Sequence, residues 1–194
     1  MIYDISQEVL SCKVFPGDPA PEKTQVLSMK NGDICNLTSI SMCAHNGTHV
    51  DAPAHFIADG KTIDEVGLDP YVGDCYLVRG EGDITGERAA EIVKMAGEVN
   101  AAERILLAGK ITVTAEAAKV FVQENVKLIG NESQTVGPED APLEVHQILL
   151  GAGVCLLEGV VLKDVPDGKY LLSAAPLNLG GCEGAPCRAV LIKL

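Results

Sequence analysis

Hydrophobic and polar positions alternate along the first quarter of the chain, and the rhythm then changes. Thr24 to Lys30 and Leu37 to His49 alternate with a period of two, which predicts two half-buried strands. Before them, Phe15-Pro16-Gly17-Asp18-Pro19-Ala20-Pro21 reads as a rigid loop, because its prolines and glycine suit neither helix nor ladder. Gly67 to Gly73 is a connector, and Cys75-Tyr76-Leu77-Val78 a short buried strand.

The middle of the chain has a longer period. Glu87 to Ala96 predicts a helix ended by Gly97. Arg104 to Gly109 is an apolar run of strand length, Thr114 is placed to cap a helix over Ala115 to Glu124, and Lys127 to Gly130 closes a second strand–helix–strand unit. Such units imply parallel pairing with helices packed on the sheet. Pro138 to Pro142 is another loop, Leu143 to Leu150 a helix, and Val154 to Leu157 and Ala189 to Lys193 are strands. The pattern is that of a mixed α/β protein with a strand-rich start. No linker is polar or long enough to divide residues 1–194 into two domains.

Composition narrows the function. Hydrophobic residues make up 47% of the chain and charged residues 22%, as in a folded globular protein. With no Trp, any aromatic wall around a ligand must come from three Phe and four Tyr. A net charge of −12 without a local basic stripe argues against nucleic acid and anionic membranes as partners. The most apolar stretch, Ile148 to Leu162, is short for a membrane span and is interrupted by Glu158. Met1-Ile2-Tyr3-Asp4 does not read as a secretion signal, and seven cysteines without a CxxC pair suit reduced thiols in a cytoplasm. Cys182 and Cys187 read as small semi-buried thiols, with a metal pair as the alternative.

Three of the four histidines fall between positions 45 and 55. On a strand continuing to residue 51, His45, Gly47, His49 and Asp51 would share one face, and Gly47 would leave room between the ligands. A helix is disfavoured by Gly47, Thr48, Val50 and Pro53, and the Glu of a HExxH zinc helix is missing. Two imidazoles and a carboxylate suit Zn²⁺ or Mn²⁺ and leave a coordination position for water. Glu158 is the only charge in the run Val154 to Leu162. Either it faces solvent at a strand end, or it is buried beside a cation, because an unpaired buried carboxylate costs several kcal/mol. His146 lies beyond a glycine-rich turn (Gly151, Gly153), and a helix followed by a returning strand could bring it to Glu158.

The string His45-x-Gly47-Thr48-His49-x-Asp51-x-Pro53-x-His55-Phe56 resembles the signature of the cyclase-like metal-dependent hydrolases, which include bacterial kynurenine formamidase (arylformamidase) and isatin hydrolase. The resemblance spans nearly the whole chain. Asp4-Ile5-Ser6 and Phe15-Pro16-Gly17-Asp18 are similar to the family's opening, His146 and Glu158-Gly159 to its second ligand pair, and Gly184 to Ala189 to its close. It implies a swivelling β/β/α domain assembled as a homodimer or homotetramer, and hydrolysis of an amide or formamide bond in a small-molecule substrate. It also implies two divalent cations, one on His45, His49 and Asp51 and one on Asp51, His146 and Glu158, with the two carboxylates as bridges and His55 as the proton carrier. Phe15 stands where kynurenine formamidases carry a substrate-stacking Trp, and Asn131 where the family carries an Asp. Formylkynurenine, isatin-like lactams and other small amides or lactones therefore stay open as substrates. A non-catalytic metal- or ligand-binding protein on the same scaffold is the competing class.

Overall fold

The computed structural model describes residues 1–193, which form thirteen β-strands and three α-helices. In chain order the strands are β1 (Ile2–Asp4), β2 (Glu22–Leu27), β3 (Leu37–Ser41), β4 (His49–Asp51), β5 (Val72–Arg79), β6 (Gly82–Ile84), β7 (Arg104–Ala108), β8 (Ile111–Val113), β9 (Leu128–Asn131), β10 (Cys155–Glu158), β11 (Gly168–Ser173), β12 (Gly184–Pro186) and β13 (Val190–Ile192). The helices are α1 (Gly86–Glu98), α2 (Ala115–Gln123) and α3 (Leu143–Gly151). Nine strands form one sheet in the order β1-β13-β11-β5-β7-β9-β10-β4-β12. Its centre, β5-β7-β9-β10, is parallel, and antiparallel strands extend it on both sides. This is the mixed α/β fold that the periodicity predicts.

Alternation along the central strands divides the core. Val78, Ile105, Leu107, Ile129 and Leu156 pack with the buried stripes of the helices. Leu77, Leu106, Leu128, Cys155 and Leu157 point to the other face, where Val50, Leu172 and Leu191 join them. The α1 stripe, Ala89, Ile92, Val93 and Ala96, follows the helical period. Thr85 and Thr114 cap α1 and α2 by accepting from the backbone N–H of Arg88 and Ala117.

Several boundaries differ from the sequence expectation. The first predicted strand ends at Leu27, and a 3-10 turn over Met29–Asn31 occupies its expected end. α1 continues through Gly97, and Asn100, at φ 54°, takes the left-handed position that stops it. Cys75–Val78 is the middle of an eight-residue strand, because β5 is paired on both sides. Strands β1, β6, β8, β11 and β12 were not anticipated, although Tyr170 and Leu172 in β11 do alternate inward. The largest change lies between Leu37 and Asp51. Instead of one strand there are two, β3 and β4, separated by a turn in which Gly47 sits at φ 69°.

Candidate metal centre

The site forms where β4 meets β10. Their antiparallel register sets His49 opposite Glu158 and Asp51 opposite Leu156. Leu156 belongs to the helix-side core, so His49, Asp51 and Glu158 share that face by strand alternation. α3 covers it and contributes His146 from the same stripe as the buried Val145, Leu149 and Leu150. His55 closes the 3-10 turn Pro53–His55. His45 arrives from the turn before β4, not from a strand, because Gly47 breaks the extended backbone there. Nor does Gly47 vacate space for a ligand, as a Cβ there would meet Val9 at 3.2 Å. Its positive φ makes the turn, and its carbonyl lies 3.0 Å from His49 Nδ1.

That contact fixes a tautomer. A carbonyl only accepts, so His49 Nδ1 donates and Nε2 faces inward, 3.5 Å from both Asp51 Oδ1 and Glu158 Oε2, where its lone pair is open to a cation once its proton is given up. His146 repeats the device. Its Nδ1 donates to the Pro142 carbonyl at 2.8 Å, and Nε2 lies 3.4 Å from Glu158 Oε1 and 4.0 Å from Asp51 Oδ2. Fastening the outer nitrogen of a histidine to the backbone while the inner one points at a centre is how metal-ligating imidazoles are oriented. His45 Nδ1 stands 2.9 Å from Asp51 Oδ1. Glu158 is buried, and its Oε1 also accepts from the Val136 N–H at 2.8 Å.

Potential ligand atoms lie within 4.8 Å of one another in two groups, His45-His49-Asp51 and Asp51-His146-Glu158. Asp51 is fully buried, yet its Oδ2 has no hydrogen-bond partner. An orphaned carboxylate oxygen costs too much to bury unless something positive is meant to meet it. The donor set fits a divalent cation of the Zn²⁺ or Mn²⁺ kind.

The charges agree. Burial works against ionisation of Asp51, but the hydrogen bond from His45 and the positive field of the histidines hold its carboxyl far below the usual range. Burial likewise disfavours the His45 imidazolium, yet Asp51 and Glu183 outweigh it and raise this group to about 9. His49 and His146 are raised against their burial, chiefly by Glu158. His55 goes the other way, because burial and the neighbouring His45 and His146 lower it despite Asp51 and Glu158. Its ring stacks on His45 with centroids 4.1 Å apart and an interplanar angle of 24°.

A cavity of about 190 Å³ opens onto this cluster, lined among others by Phe15, Phe56, Thr135, Pro142 and the inner histidines. Phe15 thus lines the cavity beside the cluster. All six residues expected at the site, His45, His49, Asp51, His55, His146 and Glu158, are brought together, and Glu158 does not face solvent. Cys182 and Cys187 take no part, and all seven cysteines are unpaired.

Three residues escaped the sequence reading. Glu183, before β12, lies 3.2 Å from His45 Nε2. Phe56 packs between His55 and His146, its ring centroid 4.5 Å from each. Thr135 lines the cavity with a buried hydroxyl that has no partner. Only Phe56 carried a signal, its place inside the histidine string. The other two are brought in by tertiary structure.

Comparison with known proteins agrees with this geometry. Residues 3–138 match the Cyclase family model, described as "Putative cyclase". The chain is 34% identical over 209 residues to a kynurenine formamidase of Sphingopyxis alaskensis, covering 100% of this chain and 98% of the relative. It is 31% identical over 207 residues to that of Erythrobacter litoralis, covering 100% and 94%. Among solved structures, one titled as a potential metal-dependent hydrolase with cyclase activity superposes with a TM-score of 0.82 at 27% identity, covering 98% of this chain and 96% of that one. Isatin hydrolase A from Labrenzia aggregata shares the fold, with a TM-score of 0.84 at 21% identity over 100% and 94%. The chain belongs to the cyclase family.

Proposed function

We propose that this chain is a metal-dependent hydrolase of non-peptide C–N bonds, cleaving a formamide or amide in the manner of an arylformamidase. The observation that carries the reading is the fully buried carboxylate of Asp51, whose Oδ1 meets His45 at 2.9 Å and His49 at 3.5 Å while its Oδ2 has no hydrogen-bond partner and faces His146 Nε2 at 4.0 Å. His45, His49 and Asp51 would hold one divalent cation, and Asp51, His146 and Glu158 a second, with Zn²⁺ favoured over Mn²⁺ by the imidazole-rich first group. When bound, such a cation supplies polarisation of the carbonyl and acidification of water, which make a nucleophile available near neutral pH.

The chain's own residues do the rest. His55 is held neutral near pH 7 by its lowered proton affinity, so it can take a proton from the attacking water. The same imidazole then returns that proton to the departing amine. Phe15 and Phe56 give the cavity two aromatic walls against which a planar substrate can lie. The Thr135 hydroxyl offers a polar contact not consumed by the protein. Isatin-like lactams and lactones are open to the same attack on a carbonyl.

The unpaired thiols support a reducing compartment such as the cytoplasm. No helix of the described residues is long and apolar enough to cross a membrane. Assembly as a homodimer or homotetramer is supported by the β2–β3 hairpin, which exposes Val26, Leu37 and Ile40 away from both cores. Light scattering of the purified chain tests this, and a monomer at micromolar concentration would refute it.

The central test measures hydrolysis of a panel of formanilides, lactams and lactones by protein loaded with Zn²⁺ or Mn²⁺. Turnover of a formanilide that disappears on chelation and returns with the cation supports the proposal. Failure to retain even one cation per chain after dialysis would refute it.

A further inference from the structure

Beside the metal centre lies a larger opening of about 700 Å³. The carboxyl ends of the parallel strands line it, with Arg79 at the end of β5, Lys110 following β7 and Gln134 following β9. In sheets of this kind the crevice beyond the strand carboxyl ends is where ligands are taken, because the connecting loops splay apart there.

Charge sets this pocket apart. The chain has 15 basic residues against 27 acidic ones, yet the pocket draws on Lys13, Arg79, Lys110 and Lys163 against only Glu132 and Glu139. Glu132 is already engaged, accepting from the N–H of Gly109 at 2.6 Å and of Leu162 at 2.8 Å. Glu139 stands 3.9 Å from Lys13 with both side chains exposed, a pairing that solvent makes weak. Arg79 is held in place by the carbonyls of Leu162 and Val165, each at 3.0 Å, and is paired with Asp167 at 3.8 Å, so the free positive charge is that of the lysines. Among the described residues no carboxylate comes within ion-pair distance of Lys110 or Lys163. Two unpaired ammonium groups in a concave site of reversed charge attract an anion, and the walls leave that attraction less screened than on an open surface.

We propose that this pocket binds a small organic anion, a carboxylate or a phosphate ester, through Lys110 and Lys163 with Lys13 beside them. Such a group has two sources. It is the anionic end of a substrate whose scissile carbonyl occupies the neighbouring cavity, or it is a separate metabolite. Gln134 lines both openings, and its amide donates to the Lys13 carbonyl. An occupant of the larger pocket therefore bears on the loop that carries Phe15 into the smaller one. The first source rests on the hydrolase reading, whereas anion binding itself does not.

Calorimetric titration of the full-length protein, with and without saturating Zn²⁺, tests the site with glutarate and methyl phosphate as probes. Saturable binding at millimolar concentration is expected, weakening as salt is added. The double variant Lys110→Glu/Lys163→Glu should bind the probe at least about tenfold more weakly while taking up Zn²⁺ like the parent, and Lys110→Gln/Lys163→Gln should fall between. Absence of saturable binding, or equal affinity in the variants, would overturn the proposal. Kinetics then assign the source. A probe that raises KM for 4-formamidobenzoate but not for formanilide occupies the place of the substrate's anionic end, whereas one that changes neither is a separate ligand. Should neither formamide be hydrolysed, the hydrolase reading fails while the anion isotherm still stands.

Discussion

Asp51 is the residue on which both candidate ligand groups depend, since it belongs to each, whereas Glu158 belongs to one. The two positions therefore predict different stoichiometries. Asp51→Asn should leave a protein that retains almost no cation after dialysis, because an amide offers a weaker oxygen and brings an N–H where a lone pair is needed. Glu158→Gln should lose the cation of the second group and keep that of the first. Elemental analysis of the dialysed proteins separates these outcomes, and equal metal content in both variants would contradict the shared role of Asp51. His55 poses another question. It stacks on His45 but lies outside both ligand groups. His55→Ala should keep the parent's cation content and lower turnover by about 10²- to 10⁴-fold, the usual weight of a proton-transfer residue. A variant that loses cation and activity together would make His55 a ligand instead.

Among the elements, the pairing of β4 with β10 does most to assemble the site, and two glycines allow its ends to meet. Gly159 follows Glu158 at φ 68°, and a Cβ there would lie 2.6 Å from the Gly47 carbonyl oxygen. Thr48 Oγ1 and Gln7 Nε2 each donate to the Gly159 carbonyl at 2.7 Å, so the close approach is held from both sides. Gly159→Ala should therefore destabilise the fold by more than the roughly 1–2 kcal/mol of left-handed strain alone, because backbone must also shift. A melting point lowered by several degrees would bear this out, and an unchanged one would refute the close contact. The same junction shows what the sequence discloses. That His49 and Asp51 share a face follows from the period of a strand, and a lone charge in an apolar run marked Glu158. That His45 leaves a turn was hidden, because nothing in the string decides whether Gly47 adopts positive φ or extended backbone. The pairing of β10 with β4 joins residues about a hundred positions apart, a register that no local pattern encodes. Glu183 and Thr135 were silent for the same reason, being ordinary loop residues until tertiary structure brings them to the site.

Over the whole molecule, protons and cations compete for one buried cluster, and this sets the pH response. Without metal, His45 is raised from 6.5 to about 9, burial being outweighed by Asp51 and Glu183, and His49 and His146 are raised as well. Between pH 6.5 and about 8 the unfolded chain sheds the His45 proton while the folded chain keeps it, and the raised His49 and His146 act in the same direction. The folded state thus binds more protons over that window, and its stability must fall as pH rises, by about 1.4 kcal/mol per pH unit for each proton retained. The buried thiols Cys75, Cys155 and Cys187, pushed up to about 12, 11 and 12 by burial, add the same trend only above this window. Cation binding should run oppositely. The ligands must give up protons to receive it, so affinity for Zn²⁺ should rise with pH and binding should release protons. His55, whose affinity for a proton is lowered, should stay neutral through the window and limit turnover only on its acid side. The urea midpoint of the metal-free protein should therefore decline from pH 6.5 to 8. Zn²⁺ titrations in buffers of different ionisation enthalpy should show proton release that shrinks as pH increases. A midpoint that rises across the window, or binding without proton release, would mean that the histidines are neutral in the metal-free fold and that the carboxylates face one another uncompensated.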